Sequence, residues 1–510
     1  MCNPTSGADT RFHDTPPVQS IPPLEHPTRQ ILLSCARAYL SGYAFDAFPK
    51  IITLLIKLIS GRRHGEPGSS RQILLRLLVV VASSLKARLP FFMLTLIGGF
   101  RVLDRLAWKA VKSWKAHPGI TPKKVSIAVS ASVMLQPTPE GDEMEQLVFA
   151  IDGPPSVCSK DALKSIVPAP YPMVERILNP TVFAATVSSA LALLIIEPAR
   201  RAEFALFTLV RAMDSAVSFK RASMKWTLRN RFGVPDLVLN NASAIVFITA
   251  CTQIMFCWFY YPQALPRSYT NWITSMSHLH PRVKQAFALF GLGEMQYGED
   301  TGHAHVLGEV AEELGYGFGA GDPVNGHVSC GVIHNKMGCL HNFVQKWRAG
   351  MRDSLKIYLL VHLLPVLLFN RKRLRSSRRA KTITDIITGT LRSANFLATF
   401  VTFVWIPLCT VRNLTKRDGM LGPFLGSLLS GFSIFLERPS RRREMAVYVV
   451  PKALDSLWWR LANGRLGLGR LPGAEFVMFA AGMSYIFSAV TEPVALRPAI
   501  RNALGFFLTQ

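Results

Sequence analysis

The stretch His327–Phe343, HVSCGVIHNKMGCLHNF, gathers thiols and imidazoles at Cys330, His334, Cys339 and His341, with His303 and His305 shortly before it. Thiolate sulfur and imidazole nitrogen are the donors zinc prefers, and four of them within fifteen residues suffice for a tetrahedral site. The spacing matches no standard finger, so two readings stay open: a zinc site, or an unmetallated, partly buried loop. A second group of chemically capable residues occurs twice. EPARRAEFALFTLVRAMDS runs from Glu197 to Ser215 and RPSRRREMAVYVVPKALDS from Arg438 to Ser456, an offset of 241 that sets Glu203 on Glu444, Arg211 on Lys452 and Asp214 on Asp455. Helical steps of four, four and three place Glu203, Arg211 and Asp214 on one face, and likewise Glu444, Lys452 and Asp455. Such stripes allow two arrangements: local ion pairs, Arg211 with Asp214 and Lys452 with Asp455, or two stripes facing each other along a polar path. The basic clusters at Arg200 and Arg201 and at Arg441, Arg442 and Arg443 are expected at lipid phosphates.

These residues need helices to hold them. The 510-residue chain is 49% hydrophobic and only 18% charged, which points to a membrane class. Its net charge of +26 sits in short clusters between apolar runs, which favours headgroups over nucleic acid, and no readable nucleic-acid module is present. Crossing the hydrocarbon takes about 20 apolar residues with every backbone polar group satisfied internally. Ala242–Tyr261 meets this without a charge and Ala394–Val411 nearly so; with shorter runs, roughly eight to ten membrane-associated helices are expected. Trp258, Phe259, Tyr260 and Tyr261 read as headgroup-level anchors, with a core aromatic cluster as the alternative. Basic clusters flank almost every run, so charge gives no topology.

Ahead of each charged helix lie small residues four apart, Ala185 and Ser189 in one copy and Gly422, Gly426 and Ser430 in the other, the pattern of closely packed membrane helices. The expected fold is all-α, a polytopic helical membrane protein built from two homologous halves. Its parts are a polar, disordered N-terminus (1–30), a first membrane half (31–268) with a soluble insert near 122–170, a soluble His/Cys insert (269–353) and a second membrane half (354–510). No secretory segment or peroxisomal carboxyl-terminal tripeptide is evident, so targeting is expected to be internal.

The run from Cys330 through RDSLKIYLLVHLLPVLLFNRKRL, with LGPFLGSLLSGFSIFLERPSRRREMAVYVVPKALDSLWWR and ALRP after it, resembles the transmembrane protein 135 family. The basic ERPSRRR followed by an apolar helix is the most specific element. In that family the cysteine-rich region usually opens the protein, whereas here it lies mid-chain behind a divergent copy of the membrane unit. The resemblance implies a multi-pass protein of peroxisomes or mitochondria tied to lipid handling and organelle dynamics. It also implies a distant similarity to the inner-membrane protein-translocase superfamily, and it supplies no catalytic residues. Membrane lipids, a lipid-like substrate and organelle proteins are the expected partners, and nucleic acid is not. With no H-E-x-x-H, G-x-S-x-G or P-loop, the first reading is a non-enzymatic translocator or scaffold without a cofactor. The alternative is a membrane-bound metalloenzyme using zinc in the His/Cys insert, with an acid such as Glu312.

Overall fold

A computed structural model describes residues 28–61, 70–116, 179–369, 379–463, 472–491, 496 and 498–508. The insert expected near 122–170, most of the polar N-terminus and the basic residues Arg62, Arg63 and 371–378 lie outside the described residues. Among those described, every regular element is helical, as the sequence leads one to expect.

The contacts divide the chain into two compact units, Met1–Pro198 with Phe479–Gln510, and Ala199–Met478. The first holds α1 (Thr28–Gly61), α2 (Ser70–Leu85), α3 (Arg88–Met93), a π turn at Leu94–Gly98, α4 (Gly99–Ala116) and α5 (Pro180–Ile195). Asn179 starts α5 by accepting the Thr181 amide at 3.0 Å, with Pro180 at the first helical position. Ala185 and Ser189 are fully buried, and a Cβ built on Gly99 of α4 would lie 3.6 Å from the neighbouring Ser188, so the small face of α5 does seat a helix.

The second unit contains α6 (Pro198–Phe219), α7 (Arg221–Phe232), α8 (Asp236–Asn240) and the apolar α9 (Ala242–Tyr260). Next come α10 (Arg267–Ser277), α11 (Pro281–Leu292), α12 (Ala304–Glu313) and the single turn α13 (Cys330–Ile333). The long α14 (Cys339–Phe369) then leads to α15 (Arg379–Phe403), α16 (Trp405–Thr415), α17 (Leu421–Gly431) and α18 (Pro439–Asn463). Helix α19 (Ala474–Ser488) runs across the division, and α20 (Pro498–Leu508) ends the first unit. The units cut across the expected halves. Phe479 and Phe487 of the second repeat pack on Phe92 and Phe100 in the first unit, whereas α9 of the first repeat packs on α17 and α18 in the second.

Three helical stretches among the described residues are long and apolar enough to cross a membrane: Leu75–Val111, Ala242–Tyr260 and Arg379–Thr415. Pro180–Ile195, Leu421–Leu436 and Ala474–Ser488 are apolar but shorter. Other apolar runs among the expected membrane-associated helices sit inside longer, mixed helices such as α1 and α14.

The His/Cys insert is a packed helical layer. Gly233, His278 and Gly293 take left-handed φ values of 62°, 48° and 78° and stop α7, α10 and α11. The aromatic cluster at the end of α9 corrects the anchor reading. Trp258, Phe259 and Tyr260 are almost completely buried, Trp258 donates to Thr274 Oγ1 at 3.0 Å, and Phe259 meets Phe287 edge to face. The insert folds over this end of α9 and makes it core.

Candidate functional site

Two sites are built from the residues the sequence singles out, both inside the second unit. The first is a crevice between α6 and α18. Arg211 Nη1 lies 3.0 Å from Glu444 Oε2, and Lys452 Nζ lies 3.1 Å from Glu203 Oε1. The offset of 241 maps one pair onto the other, Glu203 onto Glu444 and Arg211 onto Lys452, with the two copies exchanged. Glu203 of one copy meets the cation of the other, and Glu444 returns the contact. The two stripes therefore face each other. The third contact is not reciprocal: Arg443 Nε donates to Asp214 Oδ1 at 2.7 Å and its Nη2 to Asp214 O at 2.9 Å, and a further bond goes to Ser218. Ala202 stands where the offset would place the partner of Arg443, so this contact is not repeated at Asp455.

A cavity of about 260 Å³ opens between the stripes, walled by Arg200, Glu203, Phe204, Phe207, Tyr448, Lys452 and Asp455. Pro451 also lines it, and its missing N–H removes the helical bond that the Val447 carbonyl would otherwise accept. Lys452 Nζ sits 4.8 Å from the Tyr269 ring centroid and Arg211 packs 5.2 Å from that of Phe207, so each cation has an aromatic face as well as a carboxylate. Burial lowers the Arg211 pKa, and the Asp214 carboxylate opposes that shift.

The glutamates are half exposed, so each pair contributes about 0.2–1 kcal/mol. Glu203→Lys and Lys452→Glu are each expected to destabilise the fold by that order, and the double exchange to recover most of the loss. Melting curves of the four proteins in detergent test the coupling, and strictly additive losses would show that the two side chains do not meet.

The basic clusters differ from the headgroup expectation in one copy. Arg441 donates to Ser393 Oγ at 2.6 Å and lies 3.6 Å from the buried Glu437, while Arg442 donates to the Glu437 and Phe435 carbonyls at 3.0 and 3.1 Å. Together with Arg443 on Asp214, this cluster is turned onto protein, and Arg442 covers carbonyls left at the end of the 3₁₀ turn at Phe432–Leu436. Arg200 is exposed and remains available to a headgroup.

The second site joins the insert to α16. The ligand atoms of Cys330, His334 and Cys339 lie within 4.8 Å of one another. His341 is not with them. It is exposed on α14, and two helical positions beyond Cys339 turn it roughly 200° away. Its place is taken by Cys409, whose Sγ is 3.0 Å from His334 Nε2 and which also shares a hydrogen bond with Cys339. Asn413, one turn further along α16, accepts from Cys330 Sγ at 3.3 Å and lies 3.8 Å from Cys339 Sγ. His334 is 2% exposed and held neutral, its pKa lowered to about 4 by burial and then by Arg412 and Lys346. Burial raises the Cys330 thiol, and Arg412 works against that rise.

Sequence reasoning passed over Cys409 because it sits in an apolar run, where a lone cysteine reads as core. It also passed over Arg412 and Asp418, whose side chains are 2% and 3% exposed and 3.3 Å apart beside the cluster. In the first unit Arg101 is equally buried on α4 and bonds Ser34 Oγ at 3.3 Å. A charge that deep in an apolar run was the available signal.

Residues 329–462 match the family model described as the N-terminal cysteine-rich region of Transmembrane protein 135. That range takes in Cys330, His334, Cys339 and Cys409 of the second site, and Glu444 and Lys452 of the first. This segment, about a quarter of the chain, is similar to that region of the transmembrane protein 135 family. No curated protein and no solved structure matches the chain. The transmembrane protein 135 region supplies α18, whereas Glu203 and Arg211, which complete the crevice, come from outside it. The match and the apolar helices together mark the chain as a membrane protein.

Proposed function

We propose that the protein is a non-enzymatic, multi-pass organelle membrane protein that moves or organises lipid-related molecules. The crevice between α6 and α18 carries this reading. Its cations, Arg200 and Lys452, suit an anionic headgroup, and Phe204, Phe207 and Tyr448 beside them suit the first carbons of an acyl chain. At about 260 Å³ it takes a headgroup and the start of a chain rather than a whole lipid. The half-exposed Glu203 is the group such a headgroup displaces from Lys452. The similarity to that family supports placement in peroxisomes or mitochondria, a placement checked by fluorescent tagging against organelle markers.

Binding of a short-chain anionic phospholipid to the purified protein, followed by native mass spectrometry, tests the crevice. Lys452→Ala is expected to weaken it about 5- to 10-fold, the effect of roughly 1 to 1.4 kcal/mol, while a zwitterionic lipid of the same chain length binds both proteins weakly. Equal affinity of the wild type and Lys452→Ala for the anionic lipid would remove the crevice from the function.

The metalloenzyme reading draws on one observation: His334 also lines a cavity of about 440 Å³ with His278, His280, Glu313 and Lys346. It is the weaker reading, because a centre held by Cys330, His334 and Cys339 with Cys409 beside them would have four protein donors and no open position for water or substrate, as in structural rather than catalytic zinc sites.

A further inference from the structure

We infer that Cys330, His334, Cys339 and Cys409 together bind one zinc ion, which fastens the His/Cys insert to the membrane helix α16. Ligand type is the first support. Three sulfurs and one imidazole form one of the recurrent structural zinc sets. Geometry is the second. Zinc–sulfur bonds near 2.3 Å and zinc–nitrogen bonds near 2.0–2.1 Å put tetrahedral donors about 3.6–3.8 Å apart. Three of the donors already lie within 4.8 Å of one another, and the fourth is 3.0 Å from the imidazole nitrogen. Binding an ion at the centre would bring these four donors to tetrahedral spacing.

The surroundings fit the charges. Zinc with three thiolates carries a net charge of −1, which in a dry setting needs a nearby cation. Arg412, shared with Asp418, is the cation nearest to hand: it is 2% exposed, lies one helical turn from Cys409, and its Nε and Nη1, which the Asp418 contact does not use, are buried without a hydrogen-bond partner. Its other nitrogen, Nη2, bonds Asp418, Tyr297 and the Val328 carbonyl. The neutral imidazole of His334 offers its Nε2 lone pair to a metal. Asn413 is placed between Cys330 and Cys339, where its amide hydrogens can support a thiolate.

The consequence is mechanical. Cys330 and His334 belong to α13 and the turn after it, Cys339 opens α14, and Cys409 lies 70 positions further on, inside an apolar span. An ion shared by all four closes that long loop and fixes the extramembrane layer on the helix it covers.

The test uses the full chain, purified in detergent through a tag other than polyhistidine. Elemental analysis is expected to find one zinc per chain. After exchange for cobalt, the spectrum is expected to show tetrahedral d–d bands and thiolate-to-cobalt charge transfer. Cys409→Ser is expected to cut metal content at least tenfold or, where cobalt is retained, to lower the charge-transfer intensity by about a third, as one of three thiolates is lost. His341→Ala is expected to leave both unchanged. Three results overturn the inference: a metal-free wild type that takes up no cobalt, metal that survives Cys409→Ser intact yet is lost in His341→Ala, or a Cys330–Cys339 disulfide in the purified wild type. The wild-type measurements decide the matter even where a cysteine variant fails to fold, and none of them depends on lipid binding in the crevice.

Discussion

Replacing Arg412 by methionine is expected to destabilise the second unit by about 3–5 kcal/mol. Methionine keeps much of the side-chain length and the apolar contacts but removes the guanidinium. What remains is the Asp418 carboxylate, 3% exposed, with no cation at 3.3 Å, and the Val328 carbonyl without its donor. Tyr297 still bonds Asp418, which softens the loss without neutralising a charge. Breaking a buried pair costs far more than the pair contributes, because the surviving ion cannot return to water. The double variant Arg412→Met, Asp418→Leu is therefore expected to be more stable than Arg412→Met alone. Thermal unfolding in detergent, followed by tryptophan fluorescence, measures both. A single variant within about 1 kcal/mol of the wild type, below the range for a buried pair, would mean that water reaches Asp418 and that the pair is not buried.

The second large effect concerns two glycines one turn apart. Gly426→Ala is expected to cost about 1–3 kcal/mol as overpacking, whereas Gly422→Ala is expected to be neutral or slightly stabilising, since alanine is better than glycine by up to about 1 kcal/mol within a helix. The difference lies across the interface. A Cβ on Gly426 would meet the Val404 carbonyl oxygen at 2.5 Å, a backbone atom that cannot rotate away, while one on Gly422 would sit at an ordinary 3.5 Å from Leu408 Cα. Val404 lies at the junction of α15 and α16. Pro407 has no N–H for the Phe403 carbonyl, the helix breaks there, and the junction presses against α17. An added methyl at Gly426 therefore pushes on the helix that carries Cys409 and Arg412. The same melting assay reads both variants. Equal cost at the two positions would indicate that helix propensity, not backbone approach, sets their effect.

The sequence alone showed the helices of the membrane class clearly. Nineteen residues without a charge in α9 have few alternatives once backbone bonding is considered. The charged faces of α6 and α18 were equally plain, because helical spacing fixes which side chains share a face. Their partners were not. Glu203 can pair along its own helix or across to another, and both choices satisfy the same local geometry. Distance in sequence hides the answer: 249 positions separate Glu203 from Lys452.

The insert illustrates the opposite difficulty. Its glycines and histidines read as loop, yet α10, α11 and α12 form there because tertiary burial of Ile273, Val283, Phe287 and Leu307 outweighs weak local preference. Layered over the end of α9, these helices turn Trp258 and Phe259 from expected headgroup anchors into core.

What residue order determined by itself is the all-α membrane class, the two ionic stripes, the small-residue faces and the presence of thiols and imidazoles in one segment. These follow from periodicity, length and composition, which act over a few turns of helix. Only tertiary structure decided that the stripes cross-pair, that Arg441, Arg442 and Arg443 turn onto protein, and that Cys409 rather than His341 meets Cys330, His334 and Cys339. Each of those outcomes depends on which distant helix arrives beside a side chain, and that is set by the packing of the whole unit.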